Sequence, residues 1–342
     1  MADLARQFEA ISRPVDTTSD LRFSAAPVEE SPRHRIAIDR HGLPALLIDA
    51  IDAEGTGPPL VLEHIRIQQG VECRVTEPDG STESRRLTII RCTDNDPVTR
   101  EYFLRVGGTV LEAIGDASAS EVVNRTIESL VELFRALAVP PRKSVIGFWA
   151  ELFVISHSHD PAALVEAWHK SPDERFDFGL GEERLEVKAA SGRVRRHHFS
   201  LEQLLPIPGV DVLIASLLIE RSAAGPSVRE LVESIRSEVA SDAARVLHVD
   251  TVVALTLGTA WRAAMDERFD GKAAAANLAF FRPSVIPQPP GTMPPGVTEV
   301  RFVADLSSCP SVSPDDQRNR PGLLAAAIRR RSRFSRADLA AS

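Results

Sequence analysis

Apolar residues recur at helical intervals after Ser118. Val123, Ile127, Leu130, Phe134 and Leu137 mark one helix face, and Pro140-Pro141 break the run. A second, strongly apolar helix is expected from Ser144 to about Ser156, carrying Glu151. The segment Phe176 to Lys188 then changes to a two-residue period and reads as a β-hairpin. A helix from Ser200 follows, with Gln203 completing a capping-box pattern. Asp211 to Glu220 reads as a buried strand. Ser227 and Glu230 form a second capping box, before a helix with Leu231, Ile235 and Val239 on one face. Past Asp242 the pattern weakens to a helical segment within Val252 to Phe269, an extended proline-rich loop from Pro283 to Pro295, and an alternating strand from Glu299 to Ala304.

The first half is β-rich. Arg35–Asp39, Ala45–Ile48, Leu87–Arg91 and Glu101–Leu104 are strand candidates, with turn signals at Asp79-Gly80 and Gly107-Gly108. The expected organisation is a β-rich N-terminal domain over 1–115, followed by a second domain with a C-terminal extension over 116–342. The order helix, strands, helix, strand, helix in the second part suits an α/β class: a mixed central sheet flanked by helices on both faces.

The hairpin carries the chemistry. A turn centred between Gly181 and Glu182 sets Asp177 opposite Glu186, with Cβ atoms about 4.5–5.5 Å apart. Lys188 lies two residues beyond Glu186 and shares its face. Leu185 and Val187 point to the other face, with Phe178 and Phe176 as cross-strand partners. Two carboxylates directly opposite repel unless a cation lies between them. Mg²⁺ commonly takes one or two protein carboxylates plus waters and phosphate oxygens. Asp177 and Glu186 are therefore candidate metal ligands, and the Val187 carbonyl is a further one. Lys188 is placed to orient a water nucleophile or to stabilise charge on a phosphoryl group.

Asp177 followed by Glu186-Val187-Lys188 on the next strand resembles the PD-(D/E)XK superfamily of restriction-endonuclease-like nucleases. Gly147-Phe148-Trp149-Ala150-Glu151-Leu152 is similar to its preceding helix, where a glutamate often adds a metal contact, and Ser200 to Leu204 to the start of its following helix. The stretch from Phe281-Arg282-Pro283 to Val303 extends the likeness to a bacterial branch often encoded near phage-defence or restriction genes. The resemblance implies a restriction-endonuclease-like core and a Mg²⁺-dependent endonuclease, with Mn²⁺ as a substitute metal. Asp177, Glu186 and Lys188 would be catalytic, with Glu151 as an extra ligand. It also implies DNA as substrate and a role in restriction or phage defence with partner proteins, and it allows a homodimer.

Each feature has a plainer reading. Asp177 and Glu186 could be a solvated hairpin face. Glu151 could sit in a solvated row with Gly147 and Ile155. Gln203 could cap its helix or touch the scissile phosphate. The literal Pro172-Asp173 offers Asp173 as a rival to Asp177, but it lies about 13 Å further along an extended strand and would face Ala190. Arg193, Arg195, Arg196 and His198 follow the hairpin as a candidate phosphate-backbone contact, or as a basic solvated loop. His197 and His198 point to opposite strand faces, which disfavours a transition-metal site built on both. A non-catalytic nucleic-acid-binding or scaffold subunit, and a hydrolase of a small phosphoester, remain alternatives.

Composition narrows the classes. The 342-residue chain is 43% hydrophobic and carries a net charge of −8, so any nucleic-acid contact must be local. The basic run Arg329 to Arg336 is a second such candidate. Cys73, Cys92 and Cys309 are far apart and show no zinc-ligand spacing. No apolar leader opens the chain, and no run approaching the ~20 apolar residues of a membrane span is expected. There is no Gly-rich phosphate loop. A cytoplasmic protein is expected.

Overall fold

The computed structural model describes residues 4–14, 18–29, 31–49, 57–115, 120–169, 174–289, 294, 296–313 and 322–328. Asp173 and the basic run Arg329 to Arg336 lie outside the described residues. The chain divides into two compact units, Met1–Pro140 with Ala240–Thr259, and Pro141–Val239 with Ala260–Ser342. The protein is of mixed α/β class, with helix-flanked mixed sheets and a β-rich N-terminal region.

In chain order, the first unit opens with α1 (Leu4–Glu9), β1 (Arg22–Val28), β2 (Ser31–Ile38), β3 (Pro44–Ile48), β4 (Leu60–Val61), β5 (Ile65–Thr76), β6 (Thr82–Cys92), α2 (Pro97–Ile114) and α3 (Ser120–Ala136). The second unit follows with α4 (Val145–His157), α5 (Pro161–Ala167), β7 (Phe178–Leu180), β8 (Glu183–Ala190), β9 (Arg196–Ser200), α6 (Leu201–Leu204), β10 (Asp211–Leu218) and α7 (Val228–Glu238). Helix α8 (Ala243–Leu257) returns to the first unit. Then come α9 (Trp261–Met265), α10 (Gly271–Asn277), β11 (Ala279–Phe281), β12 (Arg301–Asp305) and α11 (Leu323–Ile328).

In the first unit the strands run β1-β2-β3-β6-β5-β4, and β1 also pairs with β5 in parallel, so the sheet closes on itself. The closing contact is short, Arg22 to Ser24 of β1 against Arg74 to Thr76 of β5, and it covers the edge of both strands there. Alternate residues, among them Phe23, Ala25, Ala45, Leu47, Val75 and Ile89, form one buried cluster, as the two-residue strand period requires.

The expected strand Glu101–Leu104 and turn Gly107-Gly108 are instead the interior of α2. Asp96 accepts the Thr99 N–H at 3.0 Å as an N-cap, and Pro97 occupies the first helical position. Gly107 serves packing: a Cβ there would stand 3.0 Å from Leu46 Cδ1. The turn at Asp79-Gly80 is present, with Gly80 at φ +84°. The boundary expected near 115 also moves, because α8 packs with both α2 and α3 and holds them in the first unit. The stretch Ala243–Met265, contrary to expectation, is long and apolar enough by composition to cross a membrane. In the structure it is interrupted by a 3₁₀ turn at Gly258–Ala260, and over half of it is buried.

The second unit has a four-stranded sheet in the order β11-β10-β8-β7. β8 and β10 are parallel, and β7 and β11 run antiparallel at the edges. One face carries Leu185 and, opposite it, Phe178, which stacks on Trp168 of the α5 end and through it on Phe148 of α4. The other face carries Val212 and Ile214 in a cluster with Phe176, Phe199, Leu204 and Phe281. Phe176 therefore lies on the side opposite to the one expected, because the chain leaves the ladder before Phe178. The arginine-rich stretch after β8 is in part a strand: β9 pairs with β12 in a separate ladder.

Candidate active site

The β7–β8 register pairs Phe178 with Leu185 and Leu180 with Glu183, which places the two-residue turn at Gly181-Glu182. Gly181 adopts φ +53°, where a side chain would be strained. Asp177 immediately precedes β7. Its Oδ2 accepts the Val187 N–H at 2.8 Å, and its backbone carbonyl accepts the His169 N–H at 2.9 Å. The carboxylate thus stands in for a backbone acceptor and is fixed against the strand that bears Glu186. Both Asp177 and Glu186 are buried.

Glu186 and Lys188 project from the same face of β8. Lys188 Nζ lies 2.6 Å from Glu186 Oε1 and donates to Gln203 Oε1 at 3.1 Å. Gln203 Nε2 donates to Glu186 Oε1 at 2.7 Å. The same Gln203 oxygen accepts the Ser200 N–H at 3.3 Å, so one amide caps α6 and positions both catalytic candidates. The capping reading of Gln203 stands, and its polar atoms are used inside the protein.

A second cluster adjoins the first through Asp177. Lys143 Nζ donates to Asp177 Oδ1 at 2.5 Å and to Glu151 Oε1 at 2.7 Å. Trp168 Nε1 donates to the other Glu151 oxygen at 2.9 Å, and His169 Nε2 stands 3.6 Å away, beyond hydrogen-bond distance. Glu151 is buried on α4, so its solvated reading fails, and both its oxygens are engaged. Among the described residues, no group of three or more His, Cys, Asp or Glu side chains is placed to hold a metal ion. Glu151 meets Asp177 through the Lys143 ammonium, which bridges the two carboxylates.

The electrostatics follow from burial. Burial opposes ionisation of Glu151, yet Lys143 and His169 hold its carboxyl down at about 2. Burial, reinforced by the negative charges of Glu151 and Glu186, pushes Asp177 well above the usual carboxylate range despite Lys143. Three buried carboxylates share two lysines: Lys143 serves Glu151 and Asp177, and Lys188 serves Glu186. Asp177 and Glu186 supply oxygen donors of the kind a divalent cation takes from protein carboxylates.

The basic stretch separates into two kinds of residue. Arg193, Arg196 and His198 are exposed. Arg195 is not available for a phosphate: its guanidinium donates to the Ser216 carbonyl and hydroxyl, each at 2.9 Å, and to the Asn277 carbonyl. His197 is buried against Ser216 Oγ at 2.7 Å, and burial lowers its pKa to about 4.

Lys143, Trp168 and His169 were not visible as site residues in the sequence. One signal existed for Lys143: a cation just before the N-cap Ser144 opposes the helix dipole and so needs another reason to be there.

A family model described as "Putative PD-(D/E)XK family member, (DUF4420)" matches residues 4–307. No curated protein and no solved structure matches the chain.

Proposed function

The chain belongs to that PD-(D/E)XK-like family, and from this premise we propose that it is a divalent-metal-dependent nuclease hydrolysing phosphodiester bonds in DNA. The observation that carries this reading is the Asp177–Glu186–Lys188 cluster, in which two buried carboxylates adjoin a lysine on one strand.

Asp177 and Glu186 would hold the metal through lone pairs not used by Val187, Lys143, Lys188 and Gln203. Mg²⁺, with Mn²⁺ as a substitute, would neutralise charge at the scissile phosphoryl group and lower the pKa of a water. Lys188, oriented by Glu186 and Gln203, would position the nucleophile and stabilise negative charge as it develops. Arg193, Arg196 and His198 would contact the sugar-phosphate backbone. The second unit is then the nuclease module, and the first helps to position nucleic acid. Its setting would be the cytoplasm, in restriction or phage defence.

The test is cleavage of plasmid and of single-stranded DNA with Mg²⁺ or Mn²⁺, comparing the wild type with Lys188→Ala and Asp177→Ala. Metal-dependent cutting by the wild type, lost in both variants, is the expected result. A wild type that does not cut but binds DNA tightly without metal would favour a non-catalytic binding subunit.

A further inference from the structure

We propose that Lys143 is a tethered counter-ion that gates the metal site: its ammonium occupies the cation position beside Asp177, and Glu151 is the anchor that keeps it there. This inference rests on the metal-binding reading of Asp177 and Glu186 and adds a regulatory element to that site.

Three observations support it. First, Lys143 Nζ bridges two carboxylates at 2.5 and 2.7 Å, one of them a proposed metal ligand. An ammonium and a divalent cation cannot both sit against Asp177 Oδ1 without strong repulsion. Second, the accessibility is graded. The Lys143 side chain is 30% exposed, whereas those of Asp177 and Glu151 are 9% and 3% exposed. Lys143 thus lies on the solvent side of the two carboxylates it bridges, and its flexible stem can swing out. Third, Glu151 is committed elsewhere. Its second oxygen is fixed by Trp168, and the residue sits on α4 in a wholly buried apolar stretch. It can retain Lys143 after Asp177 has exchanged the ammonium for metal, so no buried carboxylate is stranded during the exchange. The glutamate of the helix before the hairpin thereby acts through a lysine, as a positioning residue.

The test is calorimetric titration of Mn²⁺ into the full-length protein, together with the shift in melting temperature that Mn²⁺ induces. The variants are Lys143→Met and the double variant Lys143→Met with Glu151→Gln. The double variant removes both charges of the anchoring pair, so the fold is not left with an unpaired buried Glu151. The expected result is Mn²⁺ affinity about tenfold tighter in the double variant than in the wild type, with a larger Mn²⁺-induced shift. Glu186→Gln added to the double variant should abolish binding, which locates the metal. Equal or weaker Mn²⁺ binding in the double variant would overturn the gate while leaving the metal site intact. No Mn²⁺ binding by any of the proteins would overturn the metal reading itself, and the gate with it.

Discussion

Both units bury charge, but they balance it differently. Among the described residues of the first unit, the buried ions Arg35, Asp39, Arg91 and Asp250 each face an opposite charge. Arg35 pairs with Glu77 at 2.5 Å, Arg91 faces Asp39 at 3.8 Å, and Arg105 approaches Asp250 at 4.0 Å. Asp39 also accepts the N–H groups of His41 and Leu43 at 2.8 and 2.9 Å, closing the turn before β3. These groups hold strands and turns in register. In the second unit, Glu151, Asp177 and Glu186 share Lys143 and Lys188. Shared cations perturb the carboxyl groups, and perturbed groups cluster at functional sites. Buried charge paired one to one marks architecture, and buried carboxylates that share their cations mark the candidate site.

The sharpest way to break this contrast is to remove one aspartate from each unit. Asp177→Asn should lower the DNA-cleavage rate about 10²-fold or more. Its stability in urea should be unchanged or higher. The folded pKa of Asp177 is raised, chiefly by burial, so its stabilising contribution is present below the unfolded value and lost as pH rises through the folded one. Asp39→Ala should do the reverse, leaving cleavage intact and costing about 1–3 kcal/mol through two unsatisfied backbone donors. If both variants lose stability alike, the distinction between the units fails.

A second effect concerns acid. The folded pKa of His197 is depressed to about 4 by burial, so the unfolded chain takes up its proton first as pH falls. The contribution of His197 is therefore fully present above about 6.5 and is lost progressively as pH falls toward 4, by up to about 3 kcal/mol. Urea midpoints measured across that range should flatten in His197→Gln. An unaltered slope would mean that other groups dominate.

The smallest effect separates neighbouring arginines. Arg195→Ala should cost about 1–3 kcal/mol of stability, because it orphans the acceptors on Ser216 and Asn277. Arg196→Ala should leave stability unchanged, weaken DNA binding and reduce the salt slope by about 1. Fluorescence anisotropy across a salt series reads the second, and urea unfolding the first.

Much of this was legible along the chain. The apolar stripe of α3, the start of α4 at Ser144, the glycine turn of the hairpin, strand β10 and the capping box of α7 are local patterns, and each appears where expected. Helix α2 was misread because its aromatic and glycine residues suggest strand and turn. The cap at Asp96 and the contact of Gly107 with Leu46 outweigh that local bias. The return of α8 to the first unit left no local trace.

The sequence by itself determined the hairpin and the common face of Glu186 and Lys188, because a two-residue turn and a two-residue side-chain period specify that geometry without outside help. Tertiary structure decided the charge state and wiring of the site. Lys143 reaches Asp177 across a separation of 34 residues, and Gln203 reaches Glu186 across 17. It likewise separated Arg195, turned inward onto Ser216, from Arg196 beside it. A pKa and a free hydrogen-bonding group depend on which side chains meet and how much water they exclude, and no local pattern records that.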